Sequence, residues 1–322
     1  MNNSTDIFSK DTRPYLMGLA IIGVVMVHVS TQEVDHPLHT IISAFFSKGH
    51  LGVNIFFLLS AYGLCYSYNN NSLKRFYLNR AIRIWPMFPI ALIARYVVKG
   101  IPLQYAFEKF FYEISGFFLF QVKRDFFWYM GVLTIMYLFF PLLYELFYKL
   151  RKNKLTILFL ICILSHILLM HDYGHNDIYI ETITRIPTIY LGILTYFCVR
   201  EKELNKLYVA YGFCALLSLT QIQEMTCLFL PAAMLVISYS RTRPLNKPIS
   251  FMGRHSLEIY LGHTFAIYHI LFFPWSYPIN LFLFFLTSAL YSYLLYLVHH
   301  VFHKLITTQI LNCITPSNNG RE

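Results

Sequence analysis

Long apolar runs alternate along the chain with short polar segments, most of them basic. Ten runs stand out, at 14–32, 50–69, 84–99, 126–148, 155–171, 183–199, 207–220, 225–240, 255–273 and 279–303. A helix that crosses a bilayer needs about 20 predominantly apolar residues, so each run reads as a membrane helix; the shorter ones must tilt little or borrow flanking residues. Segment 101–120 is apolar but interrupted by Gln104, Glu108, Lys109 and Glu113, the pattern of a helix lying in the membrane interface. The first run, Pro14–Ser30, could pass for a signal peptide. It lacks a clear small-residue cleavage site and nine more runs follow, so it reads as a retained helix. The expected fold is an all-α polytopic membrane protein of about ten transmembrane helices. One domain over 14–303 is expected between a short segment 1–13 and a tail 304–322, with no soluble domain at either end.

Charge gives this string of helices a direction. With the N-terminus inside, the inner segments 1–13, 70–83, 149–154, 200–206, 241–254 and 304–322 carry 19 of the 26 Lys and Arg residues. The other 7 are Lys48, Arg95, Lys99, Lys109, Lys123, Arg124 and Arg185. The positive-inside rule therefore predicts both termini in the cytoplasm of a cell-membrane protein. The outer loop 171–181 has no Lys or Arg, in agreement. Composition agrees as well. The 322 residues are 57% hydrophobic and only 13% charged, against roughly a quarter charged in soluble domains. The net charge of +10 does not indicate nucleic-acid binding, because the basic residues lie in short loops between apolar runs and not on one soluble face. Six scattered cysteines show neither a disulfide framework nor zinc-ligand spacing, so no metal site is expected.

Ionisable residues inside apolar runs are costly, which makes them functional candidates. His28 is the sole His, Asp, Glu, Lys or Arg of the run 14–30. If 13–28 is helical, it lies about 22 Å along the axis from Arg13. Imidazole is the side chain best suited to accept a proton near neutral pH; the other reading is a structural histidine bonded to a neighbouring helix. If the basic stretch Lys74–Pro86 is helical, Arg80 and Arg83 share one face at i,i+3. Two such guanidiniums at a membrane surface can grip a polyphosphate, or they serve only as positive-inside anchors. Arg185, opening the sixth run, could hold an anionic group or Glu181, or anchor at the interface. Glu258 and His263, five residues apart, are substrate-site candidates or polar packing residues. No Walker loop, Gly-x-Ser-x-Gly elbow or His-Glu-x-x-His is present, and Ser60 has no base at helical spacing.

Taken together, six stretches resemble the acyltransferase-3 family of integral-membrane O-acyltransferases. They are Gly18–His28, Gly49–Gly63, Phe76–Pro86, Trp128–Leu143, Arg185–Gly192 and Gly253–His263, in the family's order over nearly the whole chain. The resemblance implies about ten helices with both ends cytoplasmic. It implies an acyl-coenzyme A donor, usually acetyl-CoA, bound from the cytoplasm, and a hydroxyl acceptor on an extracytoplasmic or lipid-linked glycan. The family's essential histidine maps to His28, its Arg-x-x-Arg pair to Arg80 and Arg83, and its later histidine to His263. Two positions depart from the pattern. The family's arginine at the start of helix one is Met17 here, with Arg13 one turn earlier on the same face as a substitute donor site, and the family's Ser-Gly is Ser60-Ala61. The chain also lacks the C-terminal hydrolase-like domain of some members, so transfer is expected to finish in the membrane domain.

These readings combine into an O-acetyltransferase that modifies a polysaccharide. His28 is its base, Arg80, Arg83 and Arg13 are its acyl-CoA site, and Arg185, Glu258 and His263 are its substrate-binding candidates. No permanently bound cofactor is expected. The expected partners are acyl-CoA, the glycan acceptor and the bilayer, with homo-oligomerisation open. Two alternatives stand beside it: a glycan or lipid transporter using the same polar cavity without chemistry, and a non-catalytic relative, suggested by Met17.

Overall fold

The computed structural model describes residues 7–9, 11–32, 34–115, 127–171, 182–219, 229–240, 242–270 and 275–306. Among them every regular element is helical. The helices are α1 (Thr12–Ser30), α2 (Pro37–Phe46), α3 (Gly52–Asn69), α4 (Leu73–Ile84), α5 (Met87–Val98), α6 (Leu103–Ile114) and α7 (Trp128–Lys149). They continue as α8 (Lys154–His171), α9 (Ile186–Arg200), α10 (Leu204–Ser218), α11 (Phe229–Tyr239), α12 (Asn246–Arg254), α13 (Ser256–Ile270) and α14 (Tyr277–Ile306).

Six of the described stretches are long and apolar enough to cross a membrane: Thr12–Ser30, Pro37–Asn69, Leu73–Val98, Trp128–Lys149, Arg151–Leu169 and Tyr277–Ile306. Ile186–Arg200 is apolar but shorter. The expected runs at 207–220, 225–240 and 255–273 appear as α10, α11 and α13, with 15, 11 and 15 residues. Six spans and not ten therefore meet the length criterion among the described residues; residues 220–228 and 271–274 lie outside them. Of the expected outer loop 171–181, the part beyond His171, with Glu181, lies outside the described residues, as does the tail beyond 306. Segment 101–120 forms α6 over 103–114, with Tyr105, Phe107 and Phe111 exposed on an amphipathic helix, as its broken pattern predicts.

Three helices were not among the expected runs, and one of them is α4, which covers most of the basic segment 70–83. α2 starts where His36 Nδ1 accepts the Leu38 N–H at 3.1 Å and Pro37 occupies the first turn, where a missing N–H costs nothing. α12 lies within the basic segment 241–254.

The chain divides into two compact units interleaved in sequence: Met1–Leu73 with Phe111–Ser256, and Lys74–Phe110 with Leu257–Glu322. In the first unit α1 packs on α12, α2 and α3, and α3 also packs on α7, α9 and α11. The α1–α12 crossing is backbone against backbone. A Cβ on Gly18 would fall 2.0 Å from the Ile249 carbonyl oxygen, and one on Gly253 would fall 1.8 Å from that of Pro14. Only residues without a side chain permit this approach, the small-residue device of tightly packed membrane helices. In the second unit α5 packs on α14.

An ion network ties the α9–α10 connection to α8. The Lys154 ammonium, 1% exposed, pairs with both Glu201 and Glu203, and Lys206 Nζ lies 2.7 Å from Glu203 Oε1. Lys154 and Lys206 hold the Glu203 carboxyl below its ordinary value of 4.5. A carboxylate depressed in the folded state stabilises the fold above its unfolded pKa, and that stability disappears as pH falls through the folded value. Melting curves of the purified protein should therefore shift down between about pH 5 and 3. The shift should be smaller in Glu203→Gln; an equal acid limb in that variant would assign it to other carboxylates.

Candidate active site

α1 carries a candidate at each end. At its start, Ser9 Oγ accepts the Thr12 N–H at 3.2 Å, and Pro14 occupies the first turn. Arg13 emerges from that turn, and its guanidinium lies against α3 at Gly63. A Cβ there would come within 2.6 Å of Arg13 Nη2 and 2.7 Å of Nη1. The last glycine of the stretch Gly49–Gly63 is thus a notch that seats the Arg13 head. His28 lies in the last turn of α1, half-buried, about 22 Å along the axis from Arg13. Its backbone carbonyl accepts Gln32 Nε2 at 3.1 Å and Thr31 Oγ1 at 3.3 Å, which closes the helix end.

Three of the singled-out stretches meet elsewhere in the same unit. Asn54, fully buried on α3, donates to the Leu51 carbonyl at 3.3 Å, and its Oδ1 accepts the Thr188 hydroxyl at 3.3 Å. That bond joins Gly49–Gly63 to Arg185–Gly192. Arg185 stands just before α9 with 3% exposure. Nη1 donates to Thr184 Oγ1 at 3.2 Å, and the guanidinium lies 5.7 Å from the centre of the Trp128 ring, the first residue of Trp128–Leu143. A guanidinium over an indole face is held by the ring quadrupole. Arg185 is therefore an interior cation and not a surface anchor.

The second unit contains the arginine pair. α4 is helical over both, so Arg80 and Arg83 share a face as their spacing requires. Arg80 is half-buried, 5.8 Å from the centre of the Phe76 ring one turn earlier. Arg83 is exposed and makes no hydrogen bond or ion pair among the described residues. Its charge acts on the carboxylate of Glu258, which is 5% exposed in the first turn of α13 and bonds to His299 Nδ1 of α14 at 3.1 Å. Glu258 thus takes a hydrogen bond from His299 and lies within the electrostatic reach of Arg83. His263 is fully buried, and its Nδ1–H donates to the Ile259 carbonyl of its own helix at 3.0 Å. That bond leaves Nε2 as the nitrogen that can accept a proton. Among the described residues no three His, Cys, Asp or Glu side chains are gathered as metal ligands.

His299 is the member of this set that sequence reasoning passed over. The available signal was the cluster His299, His300 and His303 on one apolar helix, with His299 and His303 at i,i+4 and their rings 6.2 Å apart.

Compared with protein-family models, residues 15–315 match the acyltransferase domain of acyltransferase-3. The chain belongs to the acyltransferase-3 family. It is therefore a membrane acyltransferase, and its apolar helices are those of a multi-pass protein. No curated protein and no solved structure matches it. The family assignment does not favour transport without chemistry.

Proposed function

We propose that this acyltransferase moves an acyl group, acetyl in the simplest case, from cytoplasmic acyl-coenzyme A to a hydroxyl of an extracytoplasmic or lipid-linked glycan. The observation that carries the donor side is the pair on α4, above all Arg83, which is exposed and open to a ligand. Planar guanidiniums at i,i+3 match the polyphosphate of coenzyme A. Ten helices with both termini cytoplasmic remain the topology that the charge distribution supports, which puts Arg80 and Arg83 on the cytoplasmic face of a cell membrane.

In the reaction, His28 takes the proton of the acceptor hydroxyl as that oxygen attacks the thioester carbonyl. The C–S bond breaks, and the proton passes on to the departing coenzyme A thiolate. Transfer through an acyl-histidine uses the same residue as nucleophile and fits the same arrangement. Arg185 and the His263 Nε2 are interior polar groups suited to acceptor hydroxyls or an acidic sugar. Glu258 belongs with Arg83 and His299 and so bears on the donor side.

Calorimetric titration of coenzyme A tests the donor site. Arg83→Ala is expected to weaken binding about tenfold or more, the loss of a charge-assisted bond. Arg83→Lys should restore it only in part, since an ammonium cannot reproduce a bidentate fork. Unchanged affinity in both variants, with elution as a folded monodisperse protein, would leave the pair as membrane anchors. Turnover of acetyl-CoA by the purified protein distinguishes the acyltransferase from a transporter, which needs no thioester.

A further inference from the structure

A groove of about 610 Å³ opens on the first unit. Its walls are apolar, with Leu19 of α1, Ile55 of α3 and Leu219 after α10 among them, and among the described residues exposed Lys48 is the charged one that lines it. The turn that carries Lys48 is seated directly on α1. A Cβ on Gly49 would fall 2.1 Å from the Gly23 carbonyl oxygen and 3.1 Å from the Val27 Cβ, next to His28.

Hydrocarbon gains little by leaving a bilayer for an apolar wall, so the groove supplies shape, and selection among lipids must come from the head group. Lys48 supplies that selection, because an ammonium pairs with a phosphate through charge-assisted hydrogen bonds. On the proposed topology Lys48 is also one of only 7 cations outside the inner segments, where it is not an orientation signal.

We infer that the groove holds the hydrocarbon chain of a lipid-linked acceptor, with Lys48 on the phosphate that joins chain to glycan. This rests on the acyltransferase reading and narrows its acceptor to the lipid-linked class. A chain in the groove tethers the glycan at the His28 end of α1, which raises its effective concentration at the base.

The test uses the full chain in phosphatidylcholine nanodiscs and two photo-crosslinking probes with a diazirine at the chain end: dodecyl phosphate, and a dodecyl chain with a maltoside head. The phosphate probe should label groove residues. Lys48→Gln, at an exposed position that leaves the fold intact, should cut that labelling about fivefold, towards the level of the maltoside. Leu19→Trp, which fills the groove, should cut labelling by both probes. Phosphatidylglycerol at equal mole fraction should fail to displace the phosphate probe. Labelling indifferent to Lys48→Gln would overturn the inference, and so would equal displacement by phosphatidylglycerol, which would make the groove a site for bulk anionic lipid. His28→Ala should label like the wild type. Normal labelling in a protein without acyl transfer would thus count against the catalytic reading and leave the groove standing.

Discussion

Replacement of His28 by alanine is expected to abolish acyl transfer while the protein still inserts, folds and binds coenzyme A. His28 is the sole His, Asp, Glu, Lys or Arg of the run 14–30 and sits half-buried in the last turn of α1. A neutral imidazole there can accept the hydroxyl proton, whereas an imidazolium cannot. A general base contributes about 10²–10⁴-fold in rate, and loss of a nucleophile costs more. His28→Gln keeps hydrogen bonding but has no usable basicity, so it should be nearly as inactive. Near-normal transfer by His28→Gln would show that this position supplies a hydrogen bond and not a base. His263, whose Nε2 can accept a proton, would then be the next candidate.

The largest effect on stability is expected at the α1–α12 crossing. Gly253→Ala places a methyl group 1.8 Å from the Pro14 carbonyl oxygen, and Gly18→Ala places one 2.0 Å from that of Ile249. Backbone cannot swing aside as a flexible side chain can, so the helices must separate. The cost should exceed about 3 kcal/mol, a large share of the roughly 5–15 kcal/mol that holds a typical protein folded. Both variants should fail to yield monodisperse protein after extraction. Gly212→Ala is the control. Nothing lies within 4 Å of a Cβ there, and alanine favours a helix over glycine by about 1 kcal/mol. Its melting temperature should hold or rise. If Gly253→Ala melted like Gly212→Ala, the close crossing would be absent.

What could be read from the sequence follows from how each feature is encoded. α1, α7 and α14 are long apolar runs, and their composition alone announces them. α4 did not stand out: its basic residues read as an inner segment, and the spacing of Arg80 and Arg83 said only that they share a face if the stretch is helical. α2 and α12 have 10 and 9 residues, too short for an apolar run to stand out. In α12 the charges of Lys247 and Arg254 masked Ser250 and Gly253, the residues buried against α1. The site shows the same division. His28, Arg80 and Arg83 became candidates through their place in the chain together with the family resemblance. Partners distant in the chain could not be seen: Trp128 beneath Arg185, Gly63 under the Arg13 head, and His299 on Glu258, 41 residues away. A lone arginine at the edge of an apolar run looks the same whether it anchors at the interface or turns inward; only the aromatic ring supplied by α7 separates the two.

Mass spectrometry of surface and lipid-linked glycans tests the central claim most directly, by comparison of cells that carry the gene with a deletion strain. The account predicts that deletion removes one acyl mass from a glycan species, that the wild-type gene restores it, and that His28→Gln, inserted at normal levels, does not. Identical glycan spectra with and without the gene, or full restoration by His28→Gln, would contradict it.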